Sequence, residues 1–346
     1  MRIAALSLTL LACLVAALAA GLVPAAPARA TGIGPAPILL GKVADLRDIV
    51  MVDGSPVLRA GAGDYQILLL PDGKLALAPM PAAHEPIAPA PPEIIPHAAI
   101  VHGSNDIKAA WFAAPTGRYG HGVLGDRIEA AALKVETADG KILSHRLSDD
   151  SVFEDLTPRL ADLDGDGRDE IIAVHSYQDS GAAVSLFGIR DGALVRLSES
   201  APVGLPHRWL NPVGAADFDG DGRAEIAIVR TPHIGGILIL YRWQGDKLEE
   251  IGRATGYSSH AMGSTVLGMS AMLDLDGDRA PEIILPDQGR AGLRAVSYAG
   301  GAFRTLWSVS NDAPIATSIL TVPLDGHGGA DILYGLADGS VMLLPR

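Results

Sequence analysis

Three nearly identical acidic segments constrain this chain more than any other feature. Asp162-Leu-Asp-Gly-Asp-Gly-Arg-Asp-Glu170 is followed by Ile-Ile-Ala-Val. Asp217-Phe-Asp-Gly-Asp-Gly-Arg-Ala-Glu225 is followed by Ile-Ala-Ile-Val, and Asp274-Leu-Asp-Gly-Asp-Arg-Ala-Pro-Glu282 by Ile-Ile-Leu. Their starts lie 55 and 57 residues apart. A worn fourth copy runs from Pro323 through Asp325, Gly326, His327 and Gly328 to Asp331, then Ile-Leu-Tyr. A unit of that length recurring along a chain is one supersecondary building block, which buries its apolar face only against its neighbours.

The residues between the copies predict what that block is. Each acidic loop feeds a β-branched run of strand length. A polar loop and a second apolar run follow, such as Ala183 to Ile189 or Ile237 to Trp243. A tight turn (Asp191-Gly192, Gln244-Gly245, Gly300-Gly301) then leads to a closing strand, as at Leu194 to Leu197. Asp-Gly between apolar segments is a strong hairpin signal. The pattern therefore predicts an all-β fold, a β-propeller of about six four-stranded blades near 45–80, 98–150, 152–200, 208–256, 260–310 and 314–346. Seven blades follow if the N-terminal region divides differently. In the first unit, Asp48 to Val52 and Val57 to Ala60 read as strands, and Ile67 to Pro79 resembles Ile332 to Pro345 as strand, Asp-Gly turn, strand. The second unit has strands near Ala109 to Ala113, Ala130 to Val135 and Ile142 to Leu147. The last unit ends after three strands, and Pro37 to Val43 is placed to supply its fourth. A closed ring leaves no exposed sheet edge, and the irregular period disfavours a solenoid. The Pro-rich stretch at about 80–97 reads as a stiff excursion from the surface.

The acidic loops have the chemistry of a calcium site. Calcium takes six to eight hard oxygen ligands. Positions 1, 3, 5 and 9 supply Asp162, Asp164, Asp166 and Glu170 in the first loop, and Asp217, Asp219, Asp221 and Glu225 in the second. The third supplies Asp274, Asp276, Asp278 and Glu282. Position 7 (Arg168, Arg223, Ala280) adds a backbone carbonyl. Gly167 and Gly222 at position 6 allow the positive φ that the turn needs. The third loop has Arg279 there and Pro281 at position 8, so it is the weaker site, and the fourth copy is expected to bind none. An EF-hand requires a carboxylate at position 12 and flanking helices. Position 12 is Ala173, Ile228 or Leu285, and a strand follows each loop.

Acidic loops of this form, each feeding a short β run at blade spacing, resemble the FG-GAP/VCBS repeats found in integrin α-subunit propellers and in many exported bacterial proteins. The resemblance is specific over 157–300 and weaker elsewhere, and the FG-GAP tripeptides themselves are not evident. It implies a propeller with structural calcium in hairpin loops, two sites and a third in the weaker loop. Arg118-Tyr-Gly-His, Val152-Phe-Glu-Asp and Arg208-Trp-Leu-Asn also resemble a bacterial VCBS-repeat subgroup.

The first 30 residues read as a secretory signal: Arg2, an apolar run from Ile3 to Ala20, then Ala28-Arg29-Ala30 as the cleavage pattern. A transmembrane anchor is one alternative. A lipoprotein is another, since Leu10-Leu11-Ala12-Cys13 resembles a lipobox. With the signal removed, residues 31–346 form the propeller, periplasmic or secreted, with no membrane span. Cys13 is the only cysteine, so stability must come from packing or metal rather than disulfides. Removing two arginines with the signal leaves 25 basic against 40 acidic residues, a charge of −15 with His neutral. That charge argues against nucleic acid and anionic lipid as partners. A monomer is expected.

If the strand leading into each acidic loop is innermost, the residues before that strand and those after the returning strand share the opposite face. These are Tyr119, His121, His175, His207, Arg208, Trp209, Asn211, His233, His260 and Arg290. Aromatic and cationic groups at a channel mouth suit an anionic or sugar-like ligand. The competing reading is that they tie neighbouring blades together. No GxSxG, Cys–His pair or phosphate loop is present, although Asp126 and Glu129 lie near His121 and suit acid–base work. The chain thus reads as a binding or scaffold module for a protein or glycan, and alternatively as a polysaccharide hydrolase or lyase. No catalytic residues are assigned.

Overall fold

The computed structural model describes residues 32–81, 91, 93–324 and 329–345. Residues 1–31, on which the expected signal falls, the middle of the Pro-rich stretch (82–90 and 92), the centre of the worn fourth loop (325–328) and residue 346 lie outside the described residues. All regular structure among the described residues is β-strand. No described helix is long and apolar enough to cross a membrane.

The strands lie in five sheets, of five, nine, four, four and four strands, within which six groups of antiparallel strands follow one another along the chain. The first holds Leu46–Val52, Ser55–Ala60, Tyr65–Leu69 and Leu75–Pro79. The second holds Val101–His102, Ile107–Thr116, Glu129–Thr137 and Ile142–Arg146, and the third Arg159–Ala161, Glu170–Tyr177, Gly181–Arg190 and Ala193–Glu199. The fourth holds Leu210–Ala216, Glu225–Arg230, Ile237–Gln244 and Lys247–Thr255; the fifth holds Ala271–Leu273, Glu282–Pro286, Gly292–Ser297 and Arg304–Ser310. The sixth holds Leu320–Val322, Asp331–Gly335 and Ser340–Leu344, with Ile38–Lys42 pairing antiparallel to Ser340–Leu344. The first unit's predecessor segment thus completes the last unit, as expected from Pro37 to Val43.

Packing between units explains the sequence pattern. In the third, fourth and fifth units the second strand is covered on both faces. Glu170–Tyr177, Glu225–Arg230 and Glu282–Pro286 are buried almost throughout, so they read as continuous apolar runs. The fourth strands, Ala193–Glu199 and Lys247–Thr255, have one wet face and alternate. Apolar clusters bridge consecutive units: the second to the fourth, the fourth to the fifth and the fifth to the sixth. Leu333 and Val341 of the sixth unit pack with Ile49 and Leu58 of the first. Gly335 permits this last approach, because a Cβ there would meet Leu46 Cδ2 at 2.6 Å.

One cavity of about 440 Å³ is lined by the innermost strands of the first, third and fourth units (Asp48 and Val50, Arg159, Pro212 to Gly214) and by residues just before those of the second, fifth and sixth (His97 and Ala99, Ser270, Ser318). Sheets arranged in this way about an axial cavity make the fold a β-propeller.

Three features depart from the simple repeat. Gly32–Ile33 pairs parallel with Arg304–Ser310 and gives the fifth unit's sheet a fifth strand. The second and third units share one sheet, because Ser151–Phe153 pairs with both Glu129–Thr137 and Glu170–Tyr177. The end of the Pro-rich excursion also joins the second unit instead of standing clear of it. Ile95 is buried and its N–H donates to Phe112 O, while Ala114 N–H donates to Glu93 O.

Candidate metal centres and a ligand face

Each acidic loop is wound around its own first aspartate. Asp162 Oδ1 accepts from Gly165 N and Asp166 N, and Oδ2 from Gly167 N. Asp217 repeats the three bonds with Gly220, Asp221 and Gly222. Asp274 repeats two of them, with Gly277 and Arg279. The bond to position 6 requires a left-handed residue. Gly167 and Gly222 have φ of 81° and 90°, and Arg279 is held at 76°. Such a φ is strained for a side chain with a Cβ, which is why this loop departs from the repeat at a cost.

The last acid clasps the loop from below. Leu163 N, Phe218 N and Leu275 N donate to Glu170, Glu225 and Glu282 at 3.1, 2.9 and 2.8 Å. Leu324 N donates to Asp331 in the worn copy at 3.0 Å, so that copy keeps its clasp. Burial pushes Glu170 up to about 7 and also raises Glu225 and Glu282.

Carboxylates from positions 1, 3 and 9 converge in all three loops. In Asp162/Asp164/Glu170, Asp217/Asp219/Glu225 and Asp274/Asp276/Glu282, one oxygen from each residue lies within 4.8 Å of the others. Position 5 stays outside these groups. Asp166, Asp221 and Asp278 each spend Oδ1 on the N–H of position 7, that is Arg168, Arg223 and Ala280. The donors are all hard oxygens, and Glu282 Oε1 is buried without a hydrogen-bond partner. This set fits a calcium ion.

The opposite face carries the second group of residues. Tyr119 and His121 follow the strand Ile107–Thr116, His233 follows Glu225–Arg230 and Arg290 follows Glu282–Pro286. His207 to Trp209 precede the inner strand Leu210–Ala216, and His260 precedes Ala271–Leu273. Six of these side chains form two adjoining clusters. His121 and His207 stack at 5.0 Å between ring centroids, with Tyr119 edge-on to both. Trp209 stacks on His233 at 6.1 Å and touches His260 at 4.8 Å.

Glu154 joins the two clusters. It is fully buried, and His121 Nδ1 lies 2.5 Å from its Oε1. Ser176 Oγ donates to its Oε2 at 2.6 Å, and Trp209 Nε1 donates to its backbone oxygen at 2.9 Å. Arg118 Nε donates to Ser151 O at 2.8 Å nearby. The three short segments that stood out in the sequence thus meet at one point. Burial raises the Glu154 carboxyl against the opposing pull of His121. Burial, then the Glu154 charge, pushes Glu129 up to about 9. His233 and His260 are lowered by burial to about 4 and about 3. His260 Nε2 donates to Ser264 O at 2.9 Å, leaving its Nδ1 to accept from His233 Nε2 at 2.8 Å.

The remaining members of the sequence set sit elsewhere. His175 is turned into the third unit, where its Nδ1 lies 2.7 Å from Glu199 Oε2. Asn211 is fully buried, donates to Leu267 O at 3.1 Å and accepts from Arg159 at 3.3 Å, tying inner strands together. Arg290 Nε donates to Ile315 O at 3.3 Å, linking the fifth and sixth units. Arg208 is partly exposed beside Trp209. Sequence reasoning missed Glu154 as a site residue, although its neighbours in Val152-Phe-Glu-Asp were noted. A carboxylate between an apolar strand and a second acid was the available signal.

The fold and its loops define an acidic-loop repeat propeller. Residues 162–228 match the family described as the FG-GAP-like repeat. No curated protein matches the chain. Among solved structures, Sqt1 of Saccharomyces cerevisiae is similar at 12% identity and a TM-score of 0.39, over 62% of this chain and 55% of that one. The chain thus spans about half the length of Sqt1. The WD40 domain of coronin from Toxoplasma gondii is similar at 13% identity and a TM-score of 0.36, over 93% and 90%.

Proposed function

We propose that this chain is an exported propeller whose acidic loops hold structural calcium and whose opposite face binds a protein or glycan ligand. Asp162, Asp164 and Glu170, with their counterparts in the other loops, would hold the ion, and the position-7 carbonyls would complete its shell. Bound calcium would neutralise clustered carboxylates and lock each hairpin loop between its strands.

The ligand role rests on one observation above all: the convergence of Tyr119, His121, His207, Trp209 and His233 around Glu154. Flat aromatic and imidazole rings offer stacking surfaces for a sugar or a peptide side chain. Glycan-array and protein-binding screens should find a ligand whose binding weakens in Arg208→Ala and His233→Ala. If neither variant alters binding, the assignment to this face fails.

A second reading, acid–base catalysis on a polysaccharide, is favoured by Glu129 and Glu154. Both carboxyls are buried and raised, beside His121 and Tyr119. Such a pair is what a general acid needs at neutral pH. A reducing-sugar assay run beside the binding screen separates the two. Turnover that disappears in Glu154→Gln would establish the enzyme, and binding without turnover the module.

A further inference from the structure

The three acidic loops differ in the cation that the chain itself supplies. In the second, Arg242 on the strand Ile237–Gln244 faces Glu225 directly across the ladder. Its Nη2 lies 2.5 Å from Asp219 Oδ2, 2.6 Å from Glu225 Oε1 and 3.2 Å from Asp221 Oδ2. Its Nε donates to Glu225 Oε1 at 3.1 Å. The Arg242 side chain is only 16% exposed. One protein cation therefore touches the acids of positions 3, 5 and 9 together.

The other loops lack this device. Ile171 pairs with Phe187 and Ile283 with Val296, so the residues facing the last acid are Gly188 in the first loop and Ser297 in the third. Arg190, two residues beyond Gly188, reaches only Glu170, at 3.2 Å. In the third loop Glu282 is fully buried and its Oε1 has no partner. A buried carboxylate oxygen without a donor or cation is costly. That cost falls on the third loop and is relieved in the second.

We infer that Arg242 is the built-in cation of the second loop, which closes without metal, so that divalent ions go to the first and third loops. The inference rests on the calcium reading for the first and third loops and replaces it for the second. A guanidinium presents five donors in a rigid fork and satisfies several carboxylates at once. A calcium ion binding there must displace it and strand a largely buried charge. The third loop, whose Arg279 and Pro281 break the repeat, becomes the one that most needs an ion.

The test is a calcium titration of the full chain by calorimetry, with Asp164→Asn, Asp219→Asn, Asp276→Asn and Arg242→Met. The wild type should bind two ions. Asp164→Asn and Asp276→Asn should each lose one, and Asp219→Asn none. Arg242→Met should gain a third ion, which Asp219→Asn then removes. If Arg242→Met does not fold, the response of Asp219→Asn alone decides the matter. Three ions in the wild type with one lost in Asp219→Asn, or no gain in a folded Arg242→Met, would overturn the role of Arg242 while leaving calcium in the loops. No binding in any variant would overturn both readings.

Discussion

At the scale of single residues, the aromatic–imidazole face contains groups that burial keeps away from their ordinary protonation. Glu129 is 1% exposed and raised to about 9, first by burial and then by the charge of Glu154. An unfolded glutamate releases its proton near 4.5. Between these values the folded chain binds the extra proton, so this group's contribution to stability falls as pH rises through the window. Glu129→Gln keeps the neutral form at every pH. Urea denaturation at pH 5 and pH 8 should show the wild type losing stability relative to Glu129→Gln on going to pH 8. Parallel profiles would mean that Glu129 is ionised in the folded chain. His233 and His260 act in the opposite direction. They are lowered to about 4 and about 3 against 6.5 when unfolded, so their contribution is lost as pH falls below 6.5.

At the scale of the element, the strand Ile38–Lys42 carries more weight than its five residues suggest. It caps Ser340–Leu344 with antiparallel pairing and packs Leu40 into the cluster shared by the sixth and first units. Without it the sixth unit presents an open edge, the usual site of strand-to-strand association. A chain beginning at Val43 should melt earlier than one beginning at Thr31 and should self-associate in sedimentation analysis. Equal melting and a monodisperse sample would show that this strand is dispensable. The acidic hairpins were legible in the sequence because their chemistry is local: nine residues hold both the aspartates and the turn that folds them. The partners across the ladder were not. Arg242 opposite Glu225, but Gly188 opposite Glu170, depends on register, which no local pattern records. The same limit hid Glu154, whose partners His121 and Trp209 lie 33 and 55 residues away. It also hid Ser151–Phe153, a three-residue strand that fuses two units into one sheet.

At the scale of the whole molecule, apolar clusters join the units in sequence from the second to the sixth and the sixth to the first, and Ile38–Lys42 shares a sheet with Ser340–Leu344. The acidic loops lie on one face and the aromatic–imidazole clusters on the other, so the proposed ion binding and ligand binding would be separate tasks of one scaffold. The acids that crowd the loops repel one another unless a cation sits among them. Extracellular calcium modules bind at about 10⁻⁴ to 10⁻³ M, which at about 5 mM calcium is worth about 1–2 kcal/mol for each occupied loop. Thermal melting followed by far-ultraviolet circular dichroism, in chelator and then in calcium, reads this directly. The β-type spectrum should persist in both, with the melting temperature rising as calcium is added and falling back with chelator. A melting curve that is the same in chelator and in millimolar calcium would refute calcium as the ion that holds these loops.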